Sequence, residues 1–230
     1  MKNHTHQLNI RPNRWSYSSV INAWAKSDDV DAPIRASRIL EEMWQKYEEE
    51  YDESLAPNVF SYCSLMDAWS KSNRPDAGRK AEELLREMWR MHETDPRLDV
   101  KPNPQSYSAV LNAWAKSDDP EAPEHASRIV KEMWKRYKEG DTELAPDKIS
   151  YGSLIDAWGR SSRPDAGRQA ENILREMWIV HEKDPKWNIR PDKITYASVM
   201  NAWAKSVNHE EQDEDEDQKN VVGAPKHASR

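Results

Sequence analysis

Cysteine, glycine and phenylalanine are scarce in this chain of 230 residues, which holds one Cys, six Gly and one Phe. The lone Cys63 excludes an internal disulfide and most cysteine-built metal sites. Glycine is too sparse and too scattered for a phosphate-cradling loop, and neither a nucleophile elbow nor a zinc-ligand pattern occurs. No apolar run approaches the ~20 residues that span a bilayer, so no membrane partner is expected. Residues 1–6 lack a secretory apolar segment and do not read as a transit peptide. An excess of basic residues is missing too, the net charge being -7. That deficit is local: residues 209–217 hold seven acids and no Lys or Arg, and without them 34 acids face 34 bases. A basic groove with an acidic back therefore remains open.

Tryptophan and internal repetition are what the chain has in abundance. Mean hydropathy is -1.05 and 33% of residues are charged, a composition near that of disordered chains, yet 11 Trp argue against disorder. Pro12, Pro57, Pro102, Pro146 and Pro191 are spaced 45, 45, 44 and 45 apart. Tyr17, Tyr62, Tyr107, Tyr151 and Tyr196 keep that spacing, as do Trp24, Trp69, Trp114, Trp158 and Trp203. A second series, Trp44, Trp89, Trp134 and Trp178, always follows a Met. Such a period marks stacked supersecondary units that cannot bury their apolar faces singly. The repeated Trp are read as core residues rather than ligand platforms.

Each unit reads as two helices. Tyr17, Val20, Ile21 and Trp24 fall at i, i+3, i+4 and i+7, an amphipathic helix A. The segment 27–33 interrupts it, and Pro33 suits the first turn of helix B, which carries Ala36, Ile39, Leu40, Met43 and Tyr47. The expected fold is all-α, a solenoid of αα-hairpins. Residues 1–13 read as the end of a preceding unit. Units follow at 14–58, 59–103, 104–147 and 148–192, with a partial fifth at 193–230 interrupted by an acidic insertion at 207–223. The ends suggest a fragment of a longer array. The insertion reads as a solvated loop or as a segment that binds other proteins. The units also alternate: the second and fourth share Arg-Pro-Asp-Ala-Gly-Arg (74–79, 163–168), and the first, third and fifth share Asn-Ala-Trp-Ala-Lys-Ser (22–27, 112–117, 201–206).

The period alone fits HEAT or armadillo units better than tetratricopeptide ones. The junctions point elsewhere. Pro-Asn-x-x-Ser-Tyr occurs at 12–17, 57–62 and 102–107, Pro-Asp-x-x-Ser-Tyr at 146–151 and Pro-Asp-x-x-Thr-Tyr at 191–196. Each opens an apolar helix ending near a Lys or Arg, followed by an Ala-x-x-[Ile/Leu]-[Leu/Val]-x-Glu-Met motif. Over essentially its whole length the chain resembles the pentatricopeptide repeat family, although its units are longer in the A–B turn and after helix B. Elongated units of this kind are similar to variants from some algal lineages. The resemblance implies a right-handed superhelix that binds single-stranded RNA, one base per unit, in the RNA stability, processing or translation of a mitochondrion or plastid. It implies a targeting segment upstream of Met1 and calls for no cofactor or metal.

Carried over residue by residue, the implied base-reading pairs are Ser18 with Asn58, Cys63 with Asn103, Ser108 with Asp147 and Gly152 with Asp192, Ala197 beginning a fifth. A carboxylate only accepts hydrogen bonds, which suits the N–H edge of G, whereas a carboxamide also donates, which suits A. The expected preference is 5′-A-A-G-G-3′. Trp15, Phe60, Gln105, Ile149 and Ile194, two before each Tyr, would clamp bases; packing between units is the other role open to them. Lys26, Lys71, Lys116, Arg160 and Lys205 would contact phosphates. Asn or Asp after Pro is equally an ordinary turn or cap residue, and a cation near a helix C-terminus is favoured by the macrodipole alone. Catalysis is not expected: four of seven His lie near the chain ends or in the acidic run, and His92 and His181 repeat like scaffold. The rival reading is a protein-binding scaffold of HEAT or tetratricopeptide type.

Overall fold

A computed structural model describes residues 11–161 and 163–206; the acidic insertion and the partner role read into it lie outside the described residues. The helices run α1 (Arg14–Ala25), α2 (Ala32–Glu50), α3 (Val59–Lys71), α4 (Ala77–Thr94), α5 (Pro104–Ala115), α6 (Ala122–Lys138), α7 (Lys148–Arg160) and α8 (Ala166–Lys183). A single 3-10 turn at Thr142–Leu144 precedes α7, and residues 193–206 are helical. Among the described residues there is no strand, so the fold is all-α.

The junction motif is helix-capping chemistry. Asn13, Asn58, Asn103, Asp147 and Asp192 each use Oδ1 to accept the backbone N–H of the Ser or Thr three residues on, at 2.9–3.1 Å. In four of the five that Ser or Thr hydroxyl also accepts the cap residue's own N–H. Two otherwise orphaned donors are thus satisfied, and such a cap is worth ~1 kcal/mol. Helix B opens without a side-chain cap. Pro33 and Pro123 sit in its first turn in α2 and α6, where α4 and α8 carry Gly78 and Gly167. After α6 the chain turns through Gly140 at φ 113, a conformation open to few residues with a Cβ.

The odd-numbered helices pack on one another in chain order, and each of α2, α4 and α6 contacts both its own odd helix and the next one. One hydrogen-bonded chain recurs at these contacts. Trp44 Nε1 donates to the Tyr62 hydroxyl at 2.9 Å, and Tyr62 donates to Glu87 at 2.6 Å. Trp89, Tyr107 and Glu132 repeat it, as do Trp134, Tyr151 and Glu176. The tripeptide Glu-Met-Trp therefore carries both sides of the link: its Glu holds the Tyr of its own unit, and its Trp reaches the Tyr of the next. The Met between them (Met43, Met88, Met133, Met177) is wholly buried. Burial first, and the neighbouring Glu second, raise the hydroxyl pKa of Tyr62; burial is also the main cause for Tyr107 and Tyr151. The more open Tyr17, bonded to Glu42, is pushed up to about 12 for the same reasons.

Linkers are pinned from both sides. Leu55, Val100, Leu144 and Ile189, each two residues before a junction Pro, are buried. The first N–H of α1, α3 and α7 donates to the linker that closes its own unit, Arg14 to Ser54, Val59 to Asp99 and Lys148 to Asn188, at 2.7–3.0 Å. Pro104 opens α5 and has no N–H, so this clasp is missing there.

Candidate nucleic-acid interface

Side-by-side packing of the odd helices lines up equivalent residues from successive units. A cleft of about 440 Å³ crosses α1, α3, α5 and α7 and is lined by Asn22, Phe60, Cys63, Asp67, Gln105, Ser108, Asn112 and Ile149, among others. Three of the expected clamp residues and two of the expected readers thus share one surface. All five clamp positions are exposed, Trp15 at 69%, Ile149 at 62% and Ile194 at 67%. A column of exposed side chains that includes Trp, Phe and two Ile is not accounted for by packing between these units. It offers apolar and aromatic faces against which planar groups can lie.

The first members of the pairs divide into two sets. Ser18 and Cys63 are buried and already engaged: Ser18 Oγ lies 2.7 Å from Ser61 Oγ, and Cys63 Sγ 3.5 Å from Ser106 Oγ. Burial pushes the Cys63 thiol up. Ser108 and Gly152 are half-open. A Cβ built on Gly152 would meet nothing within 4 Å, so space exists above it. Ala197 is exposed.

The second members are the helix caps. Their Oδ1 is committed inward, because only oxygen can accept the capping N–H. Among the described residues, Nδ2 of Asn58 and Asn103 and Oδ2 of Asp147 make no hydrogen bond to protein. Capping and recognition are thus compatible, one atom serving each. The Ser of the motif also ties the pair together, since Ser61 Oγ touches both Ser18 and Asn58, and Ser106 Oγ both Cys63 and Asn103. Asp192 differs: its second oxygen meets Lys148 Nζ at 3.0 Å. The capping N–H of Thr195, then Lys148, hold its carboxyl down at about 2.

The expected cations converge at the C-terminal ends of the same helices. Lys26, Lys71, Lys116 and Arg160 line one cleft of about 710 Å³, and Lys116, Arg160 and Lys205 an adjoining one. The clefts are not purely basic, for Asp28, Asp29, Asp118 and Asp119 border them. Asp29 lies near Arg35 and accepts the N–H of Asp31, and Asp119 accepts the N–H of Glu121.

Sequence reasoning did not single out Glu82. It is 5% exposed and accepts hydrogen bonds from Trp114 Nε1 at 3.0 Å, from Arg128 at 2.7 Å and from Arg86. The available signal was Gly78 one turn earlier, where a Cβ would overlap the Trp114 ring. Among the described residues no group of three His, Cys, Asp or Glu could hold a metal, and no helix is long and apolar enough to cross a membrane. Compared with models of known families, with curated proteins and with solved structures, the chain matches none.

Proposed function

We propose that this chain is a right-handed superhelical array of the pentatricopeptide type that binds single-stranded RNA without catalysis, one base per unit, in the RNA metabolism of an organelle. The observation that carries the reading is the repeated surface of the odd helices. Exposed residues two before Tyr border one cleft of these helices together with Cys63 and Ser108, the recurring cations gather at the C-terminal ends of the same helices, and the capping Asn or Asp of the next junction supplies the second reader in this reading. Aromatic stacking and phosphate neutralisation are the two sequence-tolerant ways of holding a single strand. The spare amide of Asn58 and Asn103 and the spare oxygen of Asp147 add the donor or acceptor that distinguishes bases. Recognition of one base by two or three side chains of one helical repeat has the same form.

The test is a binding selection from random single-stranded RNA at low salt, with an expected consensus of A-A-G-G. Replacing Asn58 by Asp should move the first preference from A to G while leaving the others in place. An unchanged preference removes the base assignment. A protein-binding scaffold is the second reading, favoured by the net charge of -7. It predicts that RNA of any sequence fails to bind even at low salt, whereas the RNA reading predicts affinity that falls steeply as salt rises.

A further inference from the structure

A third column runs along the groove, between the readers and the cations, and it alternates. One helical turn beyond each reader stand Asn22, Asp67, Asn112, Asp156 and Asn201. Asn22, Asp67 and Asn112 line the same cleft as Phe60, Gln105 and Ser108. One further turn on is the cation. In the even units the two meet: Lys71 Nζ lies 2.6 Å from Asp67, and Arg160 Nε lies 3.0 Å from Asp156. Lys71 is held a second time, donating to the Ala25 carbonyl of the preceding unit at 3.2 Å. In the odd units an amide replaces the carboxylate. Asn112 donates to Ser70 of α3, the preceding odd-numbered helix, and among the described residues no carboxylate lies within 4 Å of the Lys26 or Lys116 ammonium.

Both even-unit pairs are solvent-accessible i,i+4 pairs, which contribute little to stability. Their chief consequence lies in charge. A cation already paired with a carboxylate brings no net charge to a phosphate, and the carboxylate itself repels the strand. We infer that Asp67 and Asp156 mute every second phosphate contact, so that the groove grips an RNA backbone mainly through Lys26 and Lys116, at alternate units. This inference rests on the RNA-binding reading.

The experiment measures the salt dependence of binding to a single-stranded RNA carrying A-A-G-G, by fluorescence anisotropy on the full chain. In the Asp67→Asn, Asp156→Asn double variant the slope of log affinity against log salt should steepen by up to ~1.4, since each freed contact on a single strand adds ~0.7. Affinity at low salt should rise about three- to tenfold. Replacing Lys26 and Lys116 by Gln should flatten the wild-type slope by ~1.4, whereas replacing Lys71 and Arg160 by Gln should change it by less than ~0.5. In the Asp→Asn background the same Lys71 and Arg160 replacements should recover the full effect, the coupling that a pairwise interaction requires. An unmoved slope in the double Asp variant, or equal losses from the two cation pairs in the wild-type protein, overturns the inference and leaves RNA binding standing. If wild-type protein binds no RNA even at low salt, the RNA reading falls and takes the inference with it.

Discussion

The junction between the second and third units and the junction between the third and fourth are built from the same helices in the same order, yet their chemistry is opposite. At the first, Trp114 lies flat against Gly78, its N–H held by buried Glu82, with His125 stacked on it at 4.1 Å and nearly parallel. Arg128 closes the cluster from the third unit. At the second, Pro123 replaces the glycine and Ser127 the glutamate, and Ser127 is spent on the Pro123 carbonyl. Trp158 is buried as Trp69 and Trp114 are, but its Nε1 has no partner among the described residues. Arg163, paired with Glu124, covers it from the surface. The same Trp can therefore be seated by shape and a buried carboxylate, or by apolar contact under a surface ion pair. In the fourth unit the glycine and glutamate recur as Gly167 and Glu171; Gly167 again lies against a Trp ring, that of Trp203, while Glu171 accepts a hydrogen bond from Arg175.

The sharpest way to break that comparison is to place alanine in each seat. Gly78→Ala places a Cβ inside the Trp114 ring, which His125 and Glu82 hold from moving aside, and should cost about 3 kcal/mol. Pro123→Ala at the equivalent place should cost no more than about 1 kcal/mol. Urea unfolding of both variants measures this; equal losses would mean that the two seats are alike. Next in size is Glu82→Ala, which strands the Trp114 N–H and leaves Arg128 unpaired, at about 2 kcal/mol once solvent screening of the exposed guanidinium is allowed for. Ser127→Ala should stay within about 0.5 kcal/mol.

The smallest expected difference is between the links that the two junctions share. Tyr107→Phe and Tyr151→Phe each remove one hydroxyl from the Trp–Tyr–Glu chain and should cost about 1 kcal/mol alike. A large inequality would show that the link too depends on the junction. The same hydroxyls set an alkaline limit. Their folded pKa values are raised, so their contribution is complete below the ordinary tyrosine pKa of about 10 and is lost as pH rises above it. Chemical stability followed from pH 9 upward should fall, and fall less steeply in the Tyr→Phe variants.

Much of the helical layout was legible because each helix A announces itself locally. Proline, a capping Asn or Asp and a Ser or Thr three residues later need no tertiary information to act, and the apolar spacing fixes the buried face. Val20 shows the limit of that argument. It occupies the same place as Leu65, Val110 and Leu154, yet it is 43% exposed, because no earlier helix among the described residues lies against it. The candidate site was legible as residue types but not as accessibilities. Whether Ser18 or Cys63 faces solvent depends on how closely neighbouring odd helices approach, and that separation is set by packing outside the motif. Glu82 was hidden for the converse reason: a glutamate on a charged helix looks solvated until the Trp of the next unit is laid over it.

The Trp–Tyr–Glu chain also has a consequence for how such a molecule can be assembled. Every unit carries the same plug at the end of its second helix and the same socket on its first, so any unit can in principle be joined to any other. The glycine seat, Gly78 under Trp114 and Gly167 under Trp203, adds a key that the even units possess among the described residues. Adding or removing units in pairs keeps each Trp on the kind of seat it has now, whereas gaining or losing one unit moves a Trp from a glycine seat to a proline one.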